Sequence, residues 1–396
     1  MPKQLRSPID YRWKTFSNLS RLIMKSLLTL LSTLLLLTNF LSAKQYLIIS
    51  FAQDTPLMSF SIDPKTGVLK EHDKIDLPGE GGPLTITRNE KHLYVETRIK
   101  VPDQRRPANH LASVSINNGK FKHLNTVPSL YRSPSIYVDK TGTRLLSSHY
   151  GEGKVTTWEI GEDHKLTGKN LQDITTAPRS HFIISDPSNR FVYVPHTSPN
   201  AVYQFGLKDG QLTALCPEKA EGPDVDHRYH EPRHLAFHPT LDKVYTSNER
   251  GGGVSLWNQD LKTGKLTLEQ TLCTLPKDYP EKGGAAADIQ VTPNGKFVYV
   301  SNRDYSKRPK DDSPQSTIAG FKIDQKSGKL SPIGIFPTEH APRSFCIDKT
   351  GNFLFVGGQH TNKLASYRID SKSGKLSHLK TIDTAKAPIW LETIGQ

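Results

Sequence analysis

The stretch "HLAFHPTLDKVYTSN" (residues 234–248) alternates apolar and polar residues, turns at a Pro/Thr/Asp/Lys cluster, and alternates again. That period of two with β-branched and aromatic residues predicts two antiparallel strands joined by a tight turn. The same pattern recurs as "DIQVTPNGKFVYVSN" (288–302), "FIISDPSNRFVYVPH" (182–196) and "SFCIDKTGNFLFVGG" (344–358). Earlier copies read "PLTITRNEKHLYVET" (83–97) and "SIYVDKTGTRLLSSH" (135–149). A second motif, an aromatic strand followed by D-x-K-[TS]-G-x-L, recurs as "LMSFSIDPKTGVLK", "IAGFKIDQKSGKLS" and "LASYRIDSKSGKLS". No long helical periodicity is present in residues 44–396.

Six units begin near Pro83, Pro134, His181, Arg233, Ala287 and Arg343. Their spacing of roughly 45 to 55 residues suits the four-stranded blade of a propeller. The chain enters part-way through a unit at "KQYLIISFAQDTPLMSFSID" and ends with a lone strand, "APIWLETI". Each fragment supplies what the other lacks. The expected fold is therefore all-β: a seven-bladed β-propeller of four-stranded blades, its ring closed by pairing the N- and C-terminal strands. Closure removes the exposed sheet edge of an open array.

The 396 residues carry a formal charge of +13. Residues 1–43 hold six Lys/Arg and one acid, so a sizeable share of that excess is local to the N-terminus. Many other lysines fall in turns such as "LKTGK" and "QKSGK", where they are solvated; no nucleic-acid partner is expected. The run "MKSLLTLLSTLLLLTNFLSA" (24–43) has a basic start, an apolar centre and a small-residue end. It reads as an export signal, with Met24 an alternative start, followed by one propeller domain over 44–396. A periplasmic or secreted monomer is expected, without stable membrane association once the signal is removed. Three separated cysteines, with no C-x-x-C, form neither a disulfide framework nor a metal site, and Cys346 in "SFCI" reads as a core thiol.

Inner strands of a propeller line a central channel, and the turns at their ends lie at its mouth. Aligned units place Gly82, Pro134, His181, Arg233, Ala287 and Arg343 at one equivalent position, followed by Pro83, Ser135, Phe182, His234, Asp288 and Ser344. Early blades place inert residues there and later ones place charges. Second strands end in His149, His196, Asn248–Glu249, Asn302–Arg303 and Gln359–His360. A lone strand-end His or Asn is ordinarily a turn residue bonded to its neighbours. Repeat-equivalent convergence points instead to a site. Arg233, Arg303 and Arg343 beside Glu249 and Asp288 would make a net positive pocket for a carboxylate or phosphate. No metal-ligand spacing and no G-x-S-x-G motif is present, so neither a metal, another cofactor nor an acyl-enzyme is expected.

Taken together, "EPRHLAFHP", "YTSNE", "AADIQVTPNGKFVYVSNR", "PTEHAPRSF" and "PIW" resemble the seven-bladed propeller lactonases of the 6-phosphogluconolactonase type, with the carboxymuconate-cyclising enzymes as relatives. The resemblance spans about residues 45–395 and is densest from 178 onward. It implies a hydrolase of a carboxylic ester acting on a small, anionic sugar lactone, first of all 6-phosphogluconolactone. It also implies a catalytic set at His181, Arg233, Glu249 and Arg303. His234, Asn248, Asp288, Arg343, His149 and Gln359 are the expected substrate-binding positions. Glu249 or His181 would serve as general base, and the arginines would hold the developing oxyanion or the ligand's anionic group.

The chain departs from that pattern in three ways. "VPHTSPNAV" puts His196 and Asn200 where many relatives have acids, which would alter the charge of the mouth. Long basic segments at 100–110 and 304–316 would be lids or solvated loops. An export signal would also separate the protein from a phosphorylated cytoplasmic lactone. Two other functions stay open: a lyase-type lactone cyclase acting on a carboxymuconate-like dicarboxylate, and a non-catalytic exported binding propeller.

Overall fold

Alternation of small or β-branched with aromatic residues lets the middle strands of a blade bury both faces between neighbouring sheets, while the outermost strands stay largely exposed. The computed structural model describes residues 44–224, 229–276, 284–304 and 316–395, and these form 28 strands. Five sheets have four strands each; a sixth, of eight strands, is two such blades joined at one bridge, Arg250 to Ala285. The molecule is a seven-bladed β-propeller. Blade 1 carries the closure: the C-terminal strand Pro388–Ile394 pairs antiparallel with Gln45–Phe51 as its innermost strand. Blades 2 to 7 follow in sequence order, with inner strands Glu80–Ile86, Ser135–Val138, Ile184–Ser185, His230–Phe237, Gly284–Val291 and Pro342–Ile347. The expected export segment, 1–43, and most of the 304–316 insertion lie outside the described residues.

The core is distributed around the ring. Seven clusters of buried apolar side chains each draw on two adjacent blades; one joins Leu47 and Phe51 of blade 1 to Phe353 and Phe355 of blade 7. Cys346 lies in that last cluster, buried as its sequence context suggests. Hydroxyls then tie several blades to the next. Tyr193, Tyr245 and Tyr299, equivalent residues of blades 4, 5 and 6, donate to the carbonyls of Gly264, Gly328 and Gly374 at 2.6, 2.8 and 2.7 Å. Those glycines close the D-x-K-[TS]-G turns at φ of 76°, 73° and 71°, where a side chain would be strained. The turn aspartates, such as Asp324, bind the amides two and three residues on, which fixes the turn.

Candidate active site

The residue that aligns between repeats is a β-bulge. In blade 5, Pro232 pairs with Asn248 and His234 with Ser247, leaving Arg233 unpaired in the ladder. Arg343 in blade 7 and Ile389 in blade 1 are extruded in the same way, and the ladder of blade 2 slips at Gly82–Pro83. A bulge re-aims one side chain out of the pleat, and here it aims it at the channel mouth. Two residues upstream, Arg179, Glu231, Ala341 and Ala387 take left-handed conformations, with φ of 65°, 70°, 56° and 57°. Non-glycine residues seldom do so, and strain of this kind clusters at functional sites.

The bulge residues Gly82, Pro134, His181, Arg233, Arg343 and Ile389 line one cavity of about 470 Å³. Ala287, the equivalent residue of blade 6, is buried and does not reach it. Glu249 lines the same cavity from the end of the blade 5 second strand. Its Oε1 accepts a hydrogen bond from Arg303 Nη2 at 2.6 Å and lies 3.7 Å from Arg233 Nε. Arg233 is fully buried, and Arg303, 3 % exposed, stands behind the carboxylate. Arg303 also donates to the Ala286 carbonyl at 3.1 Å. The two charged ends of residues 230–250 thus meet across one hairpin, with a second blade supplying the third charge. Burial alone would raise the Glu249 carboxyl, but Arg303 and Arg233 outweigh it and hold the group below the ordinary range.

His181, 4 % exposed, faces this cluster. Burial pushes its pKa well down, and the charges of Arg233, Arg343 and Arg303 push further, so the ring is neutral at pH 7. Its Nδ1 has no hydrogen-bond partner among the described residues. His234 is also neutral: burial and Arg233 lower it to about 4 despite an Asp288 carboxylate 2.9 Å from Nδ1. A neutral ring beside that carboxylate carries its proton on Nδ1, which leaves Nε2 as the acceptor. Phe182 stacks on His234 at 4.5 Å and Trp390 lies 5.7 Å away. Trp390 also borders a second cavity of about 290 Å³, lined by Asp288 and Glu392. His234 and Trp390 thus stand between the larger cavity and Phe182.

Of the expected positions, the structure brings His181, Arg233, Glu249, His234 and Arg343 to the cavity and places Arg303 and Asp288 directly behind it. Asn248, His149 and Gln359 are not on its wall. Asn248 turns into blade 5, donating to the Tyr229 carbonyl at 2.9 Å and to Ser255 at 2.7 Å. The His149 ring is buried against Thr156 at 2.8 Å. At Gln359 the backbone amide donates to the Ala341 carbonyl. Strand parity explains Asn248 and His149: each precedes by one residue the position that faces the axis. His196 is likewise internal, set between the Val194 carbonyl and Thr176, and Asn200 caps a turn through Glu231 N and the Pro223 carbonyl. Neither changes the charge of the mouth.

The early blades are not inert. Glu96 of blade 2, Arg132 before blade 3, and Tyr150 at the Glu249-equivalent position of blade 3 all line the cavity. Arg106, in the 100–110 insertion, joins them at the rim. The sequence does hold a signal for Glu96: its equivalents Ser50, Ser148, Pro195, Ser247, Ser301 and Gly357 are all small.

A profile of the family described as "Lactonase, 7-bladed beta-propeller" matches residues 46–393. The chain belongs to the seven-bladed β-propeller lactonases. Two relatives named 6-phosphogluconolactonase are each 32 % identical to this lactonase. The one from Pectobacterium carotovorum subsp. carotovorum covers 81 % of this chain and 90 % of its own; the one from Serratia proteamaculans covers 83 % and 93 %. Among solved structures, a periplasmic gluconolactonase from Pseudomonas aeruginosa superposes at a TM-score of 0.76. It is 19 % identical and covers 89 % of this chain and 99 % of its own. A protein from Lactobacillus plantarum does so at 0.74 and 23 % identity, with the same coverage. This lactonase is accordingly a hydrolase that opens a cyclic carboxylic ester.

Proposed function

We propose that this lactonase hydrolyses a sugar lactone bearing an anionic group, with 6-phosphogluconolactone the first candidate, and that His181, Arg233, Glu249 and Arg303 carry the reaction. The observation behind the reading is one cavity lined by Arg233, Glu249 and a neutral His181, with Arg303 bonded to Glu249 from behind. Glu249 takes a proton from the attacking water. Protonation there frees the charge of two arginines for the oxyanion that forms at the lactone carbonyl, where electrostatic stabilisation is worth most. His181 serves poorly as the base, because a third positive charge beside Arg233 and Arg343 is disfavoured. Its neutral ring is instead a hydrogen-bonding partner for the substrate. Arg343, with Arg106 and Arg132 at the rim, supplies the attraction for an anionic group.

One observation favours a second substrate. The export-type segment at 24–43 would carry the protein to the periplasm or beyond, where an unphosphorylated aldonolactone is the more accessible ligand. Competition by product decides between them. Stronger inhibition by 6-phosphogluconate than by gluconate supports the phosphorylated substrate, and equal inhibition supports the unphosphorylated one.

A further inference from the structure

We propose that Glu96 is the general acid of this hydrolysis, delivering its proton to the ring oxygen as the cyclic ester opens. The inference rests on the lactonase reading above and adds the second half of its proton inventory. Opening a lactone breaks the bond between the carbonyl carbon and the ring oxygen, and that oxygen departs as an alkoxide unless it is protonated. None of His181, Arg233, Glu249 and Arg303 is suited to that donation. The histidine is unprotonated and the arginines do not give up protons. Glu249 starts ionised and holds only the proton it takes from water, on the side of the carbonyl that water attacks, so it is not kept as a standing acid.

Position 96 is where the seven-fold repeat is broken. The equivalent residue elsewhere is small, and its serines secure the bulge: Ser247 accepts from His234 N at 3.2 Å and donates to the Ala287 carbonyl at 2.8 Å, while Ser301 accepts from Asp288 N at 3.0 Å. Blade 2 has a carboxylic acid there, and it has glycine at the bulge position itself. A Cβ at Gly82 would collide with Glu96 Oε2. The missing side chain of Gly82 is thus the space the carboxyl fills. In this blade the group facing the cavity comes from the second strand, whereas blades 4, 5 and 7 present theirs from the bulge.

Glu96 is 1 % exposed and lines the 470 Å³ cavity that Glu249 lines from the opposite part of the ring. Its Oε1 is buried and has no hydrogen-bond partner among the described residues, although Glu96 belongs to the lining of a polar cavity. A buried carboxyl oxygen of this kind is costly to keep unless a ligand or a proton satisfies it. The charged groups around it are Arg98, which is bridged to Glu80 at 2.9 Å, and Arg132, with Arg106, His181, Arg233 and Arg343 elsewhere on the cavity wall. Burial raises the carboxyl to about 7 against the opposing pull of Arg98 and Arg132. Glu249 is held low by its arginines. Two carboxyls driven apart by their surroundings are the usual arrangement of an acid and a base in one site.

The protons balance. Water adds its oxygen to the carbonyl carbon and gives one proton to Glu249. The ring C–O bond breaks, and the ring oxygen takes the proton of Glu96. The hydroxy acid leaves, the proton on Glu249 is lost to solvent, and Glu96 is reprotonated from solvent.

The test uses the intact protein with gluconolactone and 6-phosphogluconolactone, following acid release above the spontaneous rate from pH 5 to 8, in wild type, Glu96→Gln and Glu96→Asp. The proposal expects wild-type kcat to fall above about pH 7. Glu96→Gln should lose roughly 100-fold in kcat with little change in KM, and lose the descending limb. Glu96→Asp should recover part of the rate together with that limb. Gly82→Ala, which retains the carboxyl but displaces it, is the second variant and should also lower kcat. Wild-type rate and profile in folded Glu96→Gln overturn the proposal and leave the lactonase reading intact. A wild-type rate that rises through pH 7, flattened in Glu96→Gln, makes Glu96 a base and overturns the acid assignment. No wild-type turnover of either lactone removes the functional reading and this proposal with it.

Discussion

Glu249 of blade 5 and Arg303 of blade 6 are joined by a 2.6 Å hydrogen bond, although they occupy the same position in their two repeats. Equivalent geometry in adjacent blades brings opposite charges together at the mouth, and the joining of these two blades at Arg250 and Ala285 fixes their spacing. The bond keeps Glu249 ionised although it is largely buried.

Arg303→Lys should therefore act through Glu249. A lysine cannot reproduce the planar fork that also reaches the Ala286 carbonyl. With that hold weakened, the Glu249 carboxyl rises toward its ordinary value, and the acid limb of kcat/KM moves to higher pH. The loss in kcat/KM from this shift is expected on the acid side, at and below about pH 4.5, with little titration effect at pH 6 or above. A pH–rate profile of the variant beside wild type checks both the size and the direction.

Stability should depend on pH through two carboxyls, the buried Glu96 and the partly buried Glu392. Burial raises both Glu96 and Glu392 from 4.5 to about 7. A carboxyl raised on folding binds its proton more tightly in the folded state. Its contribution is fully present below about pH 4.5 and is lost as pH rises through about 7. Each group accounts for about 3 kcal/mol of that decline, since a tenfold difference in proton affinity is worth about 1.4 kcal/mol. Glu392→Gln should match wild type near pH 4.5 and exceed it by up to that amount at pH 8. Urea midpoints at the two pH values measure it.

Ring closure should be a condition of folding. Leu391 and Ile394 of the C-terminal strand pack into the clusters that join blade 1 to blades 7 and 2. Deleting residues 388–396 strips both and exposes the edge of Gln45–Phe51. The expected outcome is loss of the cooperative thermal transition and aggregation, whereas Leu391→Ala alone should cost about 2 to 5 kcal/mol. Calorimetry and light scattering distinguish the two.

How much of this is legible in the sequence follows from what repeats encode. Strand pairs, turn glycines and the half-units at the two ends recur with fixed offsets, so the blade number and the closure through "APIWLETI" can be read directly. The bulge positions can be aligned as well, which is why His181, Arg233 and Arg343 are recognisable as a group. Two things are hidden. Which of two adjacent strand-end residues faces the axis depends on parity at the bulge, and on that point Asn248 and His149 differ from expectation while Glu249 does not. Blade 2 is deceptive because Gly82 looks inert, when its lack of a side chain is what admits Glu96. Exceptions to a repeat carry chemistry as readily as its charged members.

On the proposed mechanism, lactone hydrolysis depends on the Glu249 carboxylate held by Arg233 and Arg303. The most direct test is a pH-stat assay of the purified protein against 6-phosphogluconolactone, gluconolactone, a glucarolactone and a muconolactone, with wild type and Glu249→Gln run in parallel. The expected result is acid release above the spontaneous rate on a sugar lactone, reduced roughly 100-fold or more in the variant, which still binds the product. Equal rates in wild type and variant would contradict it.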